Sequence, residues 1–228
     1  MLVPAKAAEG VILLHGLART SASMVKMEKA LTAEGYIVLN CDYSSRTQPV
    51  EQLSLVISNA LAHQRLRECA KVHFVTHSMG GILVRHYFAA NQDNRLGRVV
   101  MLGPPNKGSE VVDRLRKRWL FRTINGPAGQ QLGTEKDSLP RKLGPVSFEL
   151  GVIAGNRSIN WINSSMIRGH DDGKVSVENT KIDGMKEHLV LNVTHPFMMK
   201  DPAVIDAVIS FLRSGSFTSD PARKARLQ

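Results

Sequence analysis

The strongest constraint on this chain is a repeated switch of hydrophobic period. Short, almost wholly apolar runs, VILLHG (11–16), YIVLNCDY (36–43), VHFVTH (72–77) and RVVMLG (98–103), alternate with segments whose apolar residues recur every three or four positions. An apolar run of that length is a strand buried on both faces, and such strands belong to parallel sheets covered by helices on either side. The intervening segments predict helices: SASMVKMEKALTAEG (21–35) closed by Gly35, VEQLSLVISNALAHQRLRECA (50–70) opened by Pro49, and GILVRHYFAANQ after the third strand. LGVIAGN (150–156) and HLVLNVTH (188–195) predict the last two strands, and PAVIDAVISFLRS (202–214) a closing helix. The fold class is therefore α/β, a mostly parallel sheet with helices on both faces.

A length of 228 residues favours one domain over two. GSEVVDRLRKRWL predicts a helix, after which regularity fades: residues 125–145 hold four glycines and three prolines among polar residues. A stretch of that kind signals an excursion, and residues 119–147 are expected to form a lid or an irregular segment. The two cysteines, Cys41 and Cys69, fit no metal or redox spacing and are expected to be buried thiols. The N-terminal residues lack the apolar core of a signal peptide, and no apolar run approaches the ~20 residues of a membrane span, so a cytoplasmic location is expected.

The net charge of +10 is concentrated in RLRKRWLFR (114–122) and in the tail from Ala222. Aromatic residues make up only 5% and do not interleave with the basic ones as base-stacking platforms do, which argues against nucleic acid. Within the basic segment, Trp119, Leu120 and Phe121 give a helix face that suits an anionic membrane surface, although a solvated charged face has the same composition.

The third strand stops at His77, and Ser78 stands between it and a helix. In an α/β sheet reactive groups gather beyond the carboxyl ends of the strands, which puts Ser78, His15, Asp42, Gly103 and His195 on one edge. A serine at such a bend is either a helix cap or a nucleophile, and a nucleophile needs a base and an oxyanion site.

THSMGG resembles the nucleophile elbow of α/β-hydrolases, GxSxG between a strand and a helix, with Thr76 standing where the motif has glycine. LLHGLA resembles the oxyanion segment of bacterial lipases and esterases, which implies that the N–H groups of Leu17 and Met79 hold an oxyanion. DDGKVS (171–176) resembles the acid segment of the same enzymes. It aligns Asp172 with the acid, with Asp171 as the alternative. A calcium loop is excluded there because no spaced acidic ligands follow. Of eight histidines, His195 in THPFMM stands where the family places its base. LGPPNKGSE (102–110) resembles a pocket-wall segment, with Ser109 expected to cap a helix. The resemblance runs from residue 11 to about residue 213 and implies a three-layer α/β-hydrolase fold. It further implies a serine esterase or lipase acting on a small ester or lipid, with no metal or organic cofactor. An acyltransferase or thioesterase would use the same residues, and a noncatalytic binding module would keep the scaffold alone.

Overall fold

A computed structural model of the chain describes residues 7–159 and 161–218. Six strands, β1 (Glu9–Leu14), β2 (Ile37–Cys41), β3 (Lys71–His77), β4 (Leu96–Leu102), β5 (Leu150–Gly155) and β6 (Glu187–Leu191), form one sheet. Their order is β2-β1-β3-β4-β5-β6 and every pairing is parallel. The helices in chain order are α1 (Val25–Ala33), α2 (Val50–Leu53), α3 (Leu55–Leu61), α4 (Met79–Ala90), α5 (Glu110–Leu115), α6 (Trp119–Gln130), α7 (Leu139–Lys142), α8 (Trp161–Ser164), α9 (Val177–Thr180) and α10 (Pro202–Ser214).

Strand alternation divides the core in two. Ile12, Leu14, Phe74, Met101 and Val152 face a cluster that includes Leu53, Ile57 and Ile82 of α2, α3 and α4. Their neighbours Val11, Leu13, Val75, Val100 and Ile153 face Met27 and Leu31 of α1 and Val204, Val208 and Phe211 of α10. Burial on both faces is why the strands are apolar throughout, and it gives the fold its three layers.

From β1 the chain moves outward to β2, then passes back over β1 to β3. The crossovers leaving β1 and entering β3 therefore diverge, and a crevice opens at the carboxyl ends of these two strands. Residues 15–17 and Ser78 lie there.

Three local expectations need correction. The segment predicted as one helix over 50–70 is broken into α2, α3 and a 3-10 turn at Gln64–Leu66. At the first break the Ser54 hydroxyl donates to the Glu51 carbonyl at 2.9 Å, a side-chain bond that competes with helix continuation. Much of the expected excursion is ordered: α6 runs to Gln130 with a kink at Gly126, and α7 follows. Gly126 has a φ of 61°, and a Cβ there would meet the backbone of Arg46. Ser109 stands at the start of α5 without a side-chain capping bond; its hydroxyl donates to the Lys174 carbonyl at 2.8 Å instead. Cys41 and Cys69 are free and buried. No helix among the described residues is long and apolar enough to cross a membrane, and the basic tail from Ala222 lies outside those residues.

Candidate functional site

Ser78 sits between β3 and α4 with φ 53° and ψ −121°, one of two non-glycine residues with positive φ among those described. Such a conformation costs about 1–3 kcal/mol and persists only where the surroundings enforce it. Here the Ser78 N–H donates to the Leu102 carbonyl at 2.8 Å, and the Ser78 carbonyl accepts from the Gly81 N–H at 3.0 Å. Gly80 lets α4 press onto β1, since a Cβ at that position would lie 2.8 Å from the Leu14 carbonyl oxygen. Thr76 is fully buried in β3, below the bend, and its hydroxyl has no partner among the described residues. Ser78 holds the N-cap position of α4 but makes no capping bond. Its hydroxyl faces His195 instead.

His195 follows β6 and is buried. Its Nε2 stands 3.1 Å from Ser78 Oγ, and its Nδ1 donates to Asp172 Oδ2 at 2.7 Å. With the proton on Nδ1, Nε2 is left as an acceptor for the serine proton. The backbone closes the same pair, because the His195 N–H donates to the Asp172 carbonyl at 2.9 Å. Asp172 is fully buried, and its Oδ1 accepts the N–H groups of Lys174 at 3.0 Å and Val175 at 2.9 Å. Asp171 points elsewhere: its Oδ1 accepts from the Ser164 hydroxyl at 2.8 Å and the Gly173 N–H at 2.7 Å. Gly103 clears the space around the pair, since a Cβ there would lie 2.9 Å from Asp172 Oδ2 and 3.0 Å from His195 Nδ1.

Residues 15–19 form the facing wall. The Arg19 N–H donates to the Gly16 carbonyl at 3.2 Å, closing a turn around Leu17 and Ala18. Among the described residues no acceptor meets the Leu17 N–H. Met79 opens α4, where no helical carbonyl reaches its N–H. Gly16 admits the close approach of β3, because its Cβ would fall 2.7 Å from His77 Nδ1 and 3.2 Å from Ser78 Cβ.

Three supporting residues escaped the sequence reading. The Tyr43 hydroxyl donates to the His15 carbonyl at 2.5 Å while its ring stacks on the His15 imidazole at 4.0 Å, which fixes the base of the turn. The Ser45 hydroxyl accepts the Ala18 N–H at 3.0 Å and fixes its tip. His77 donates from Nε2 to the His195 carbonyl at 3.0 Å, with the two rings 4.8 Å apart. Burial, reinforced by the neighbouring His195, holds the His77 pKa well below the ordinary histidine value, so this ring stays neutral. Burial likewise lowers the pKa of His15. No local signal marks these residues, because their partners lie 28, 27 and 118 positions away.

A cavity of about 410 Å³ opens over Ser78 and His195. Val111, Val112 and Phe121 from α5 and α6 make its wall largely apolar, as in pockets that hold small organic ligands. Among the described residues no three histidine, cysteine, aspartate or glutamate side chains converge as a metal-ligand set. The arrangement can move a proton from the hydroxyl to the imidazole while the carboxylate stabilises the cation formed.

No protein-family model matches the sequence, and no curated protein matches it. Solved structures do. The mature lipase BlEst2 of Bacillus licheniformis superposes with a TM-score of 0.74 at 18% identity over 95% of each chain. Phospholipase PlaB of Legionella pneumophila, in complex with thio-NAD, gives a TM-score of 0.74 at 18% identity, covering 96% of this chain and 61% of the phospholipase. Aspergillus fumigatus lipase B gives 0.69 at 14% identity, covering 97% of this chain and 57% of the lipase. With its six parallel strands, its helices on both faces and these neighbours, the chain has the three-layer α/β-hydrolase fold of lipases and esterases.

Proposed function

We propose that this chain hydrolyses carboxylic esters, of small molecules or lipids, through an acyl-enzyme formed on Ser78. The observation that carries the reading is the hydrogen-bonded line from Ser78 Oγ through His195 to Asp172, 3.1 Å and 2.7 Å long, at the floor of an apolar cavity. Ser78 Oγ attacks the carbonyl carbon as its proton passes to His195 Nε2, and Asp172 stabilises the imidazolium. The N–H groups of Leu17 and Met79 donate to the oxyanion. Collapse of the tetrahedral intermediate breaks the bond to the alcohol oxygen, which takes the proton from His195. A water molecule then repeats the sequence on the acyl-enzyme and releases the acid. Ser78→Ala is expected to lower p-nitrophenyl butyrate turnover by about three orders of magnitude or more and to abolish labelling by a fluorophosphonate probe. Full turnover in that variant would refute the mechanism.

We also propose peripheral contact with anionic lipid. Leu120, Ile124, Ile159, Ile162 and Phe197 are exposed, and each lies on, or next in sequence to, a residue of the cavity wall. Trp119, 75% exposed, extends the patch, and Arg114, Lys117, Arg118 and Arg122 around it are exposed. Apolar side chains ringed by cations suit an anionic interface. Flotation with vesicles containing phosphatidylglycerol is expected to carry the protein at low salt, and Trp119→Ser with Leu120→Ser to reduce it severalfold. Equal flotation with neutral vesicles would contradict the contact.

A further inference from the structure

The charged side chains on the cavity wall are few. Besides the histidines, only Arg19, Lys174 and Asp172 line it. Asp172 is occupied by His195 and by two backbone N–H groups. The two cations are not ion-paired: no carboxylate oxygen lies within 4.0 Å of either head group among the described residues. Some other cations are matched, such as Arg95 with Asp93 at 2.8 Å, Arg98 with Glu149 at 3.1 Å and Lys107 with Glu178 at 2.8 Å. Others stand unpaired, but of all the described cations Arg19 and Lys174 alone line the cavity over Ser78. Both cations line the same cavity as Ser78, on a wall that Val111, Val112 and Phe121 otherwise make apolar.

We propose that Arg19 and Lys174 form an anion-recognition subsite, so that the preferred ester carries a carboxylate or phosphate group near its scissile carbonyl. The inference rests on the hydrolase reading of Ser78 and narrows its substrate class. Two like charges on one wall repel each other, and a bound anion relieves that repulsion while gaining charge-assisted hydrogen bonds from both. Lys174 is exposed as a residue, yet loss of solvent along the cavity wall and then the charge of Arg19 hold its pKa below the ordinary lysine value, against the opposing pull of the Asp172 carboxylate. Arg19 also borders a second, shallow hollow of about 310 Å³ that Lys200 shares, so positive charge continues outward from the cavity mouth. A longer anionic substituent has a path there.

The test compares matched esters on the full chain. One series places the charge on the acyl side, a p-nitrophenyl ester ending in carboxylate against one of equal length ending in methyl. The other places it on the alcohol side, monobutyrylglycerol phosphate against monobutyrylglycerol, with acid release followed by titration. In at least one series kcat/KM for the charged ester is expected to exceed that for the neutral one about tenfold, mainly through KM. That ratio is expected to shrink in added salt and to approach unity in the Arg19→Gln, Lys174→Gln double variant. The series that shows the preference tells a carboxylate on the acyl chain from a phosphate on the leaving group. Neutral esters turned over with no preference in either series, or a preference that survives the double variant, would overturn the subsite and leave the hydrolase reading standing. Loss of fluorophosphonate labelling at Ser78 together with failure to turn over any ester would end both.

Discussion

Asp171 and Asp172 are chemically identical neighbours, and what separates them is the turn they occupy. Asp172 spends one oxygen on the N–H groups of Lys174 and Val175 and points the other at His195, while Asp171 ties Ser164 to Gly173. Asp172→Asn is expected to lower kcat by about three to four orders of magnitude, because an amide can present its NH2 to Nδ1 and favour the wrong tautomer. Asp171→Asn should cost less than about tenfold, through loosening of the turn alone, since its carboxylate has no bond to the imidazole. Steady-state kinetics of both variants on one ester checks the pair, and equal losses would remove the distinction. The sequence favoured Asp172 through a resemblance, not through physics. Adjacent aspartates share every local property, and only the fold of Gly173 to Val175 shows which one faces the histidine. Tyr43, Ser45 and His77 were illegible for the same reason, since each acts through a contact that the local sequence does not encode.

At the scale of elements, legibility followed burial. Strands enclosed on both faces announce themselves as apolar runs, and α10 carries its own punctuation: Asp201 accepts the N–H groups of Ala203 and Val204, Pro202 opens the helix, and Gly215 ends it at φ 74°. The break between α2 and α3 has no such mark, because serine within a helical pattern is ordinary until its hydroxyl turns back on the chain. The ordered part of the 119–147 segment was hidden by its glycines and prolines. Those residues permit close approaches, Gly126 to Arg46 and Gly129 to Asn125 and Leu17. The bend at Ser78 depends on the same kind of approach. Gly80→Ala forces a methyl group against the Leu14 carbonyl, and backbone must move to admit it. The variant is expected to lose about 1–3 kcal/mol in urea unfolding and to show reduced turnover. Unchanged stability would mean that α4 does not bear on β1 as described.

Across the whole molecule, histidines whose pKa values are lowered by burial are expected to make the fold acid-sensitive. His188 in β6 has its pKa lowered to about 4 by burial, with Lys181 adding to the effect. Unfolded, it titrates near 6.5, so between pH 6.5 and 4 the unfolded chain binds a proton that the folded chain refuses. The contribution of this residue is therefore expected to be full above pH 6.5, to fall as the pH drops, and to have lost up to about 3 kcal/mol by pH 4. His15, His73 and His77, also lowered chiefly by burial, push in the same direction. Urea unfolding at pH 7.5 and pH 4.5 is expected to show the fall, with a smaller one in His188→Gln; identical slopes would exclude His188 as a contributor. The position of β6 has a second consequence. It pairs with β5 alone, at the rim of the sheet, yet the His195 imidazole follows its far end while the Ser78 hydroxyl it faces follows β3 near the centre. β2 at the opposite rim is likewise paired on one side only, but it carries none of these groups. On the proposed mechanism, gentle warming is therefore expected to silence ester turnover by loosening the β6 margin before circular dichroism reports loss of the interior strands.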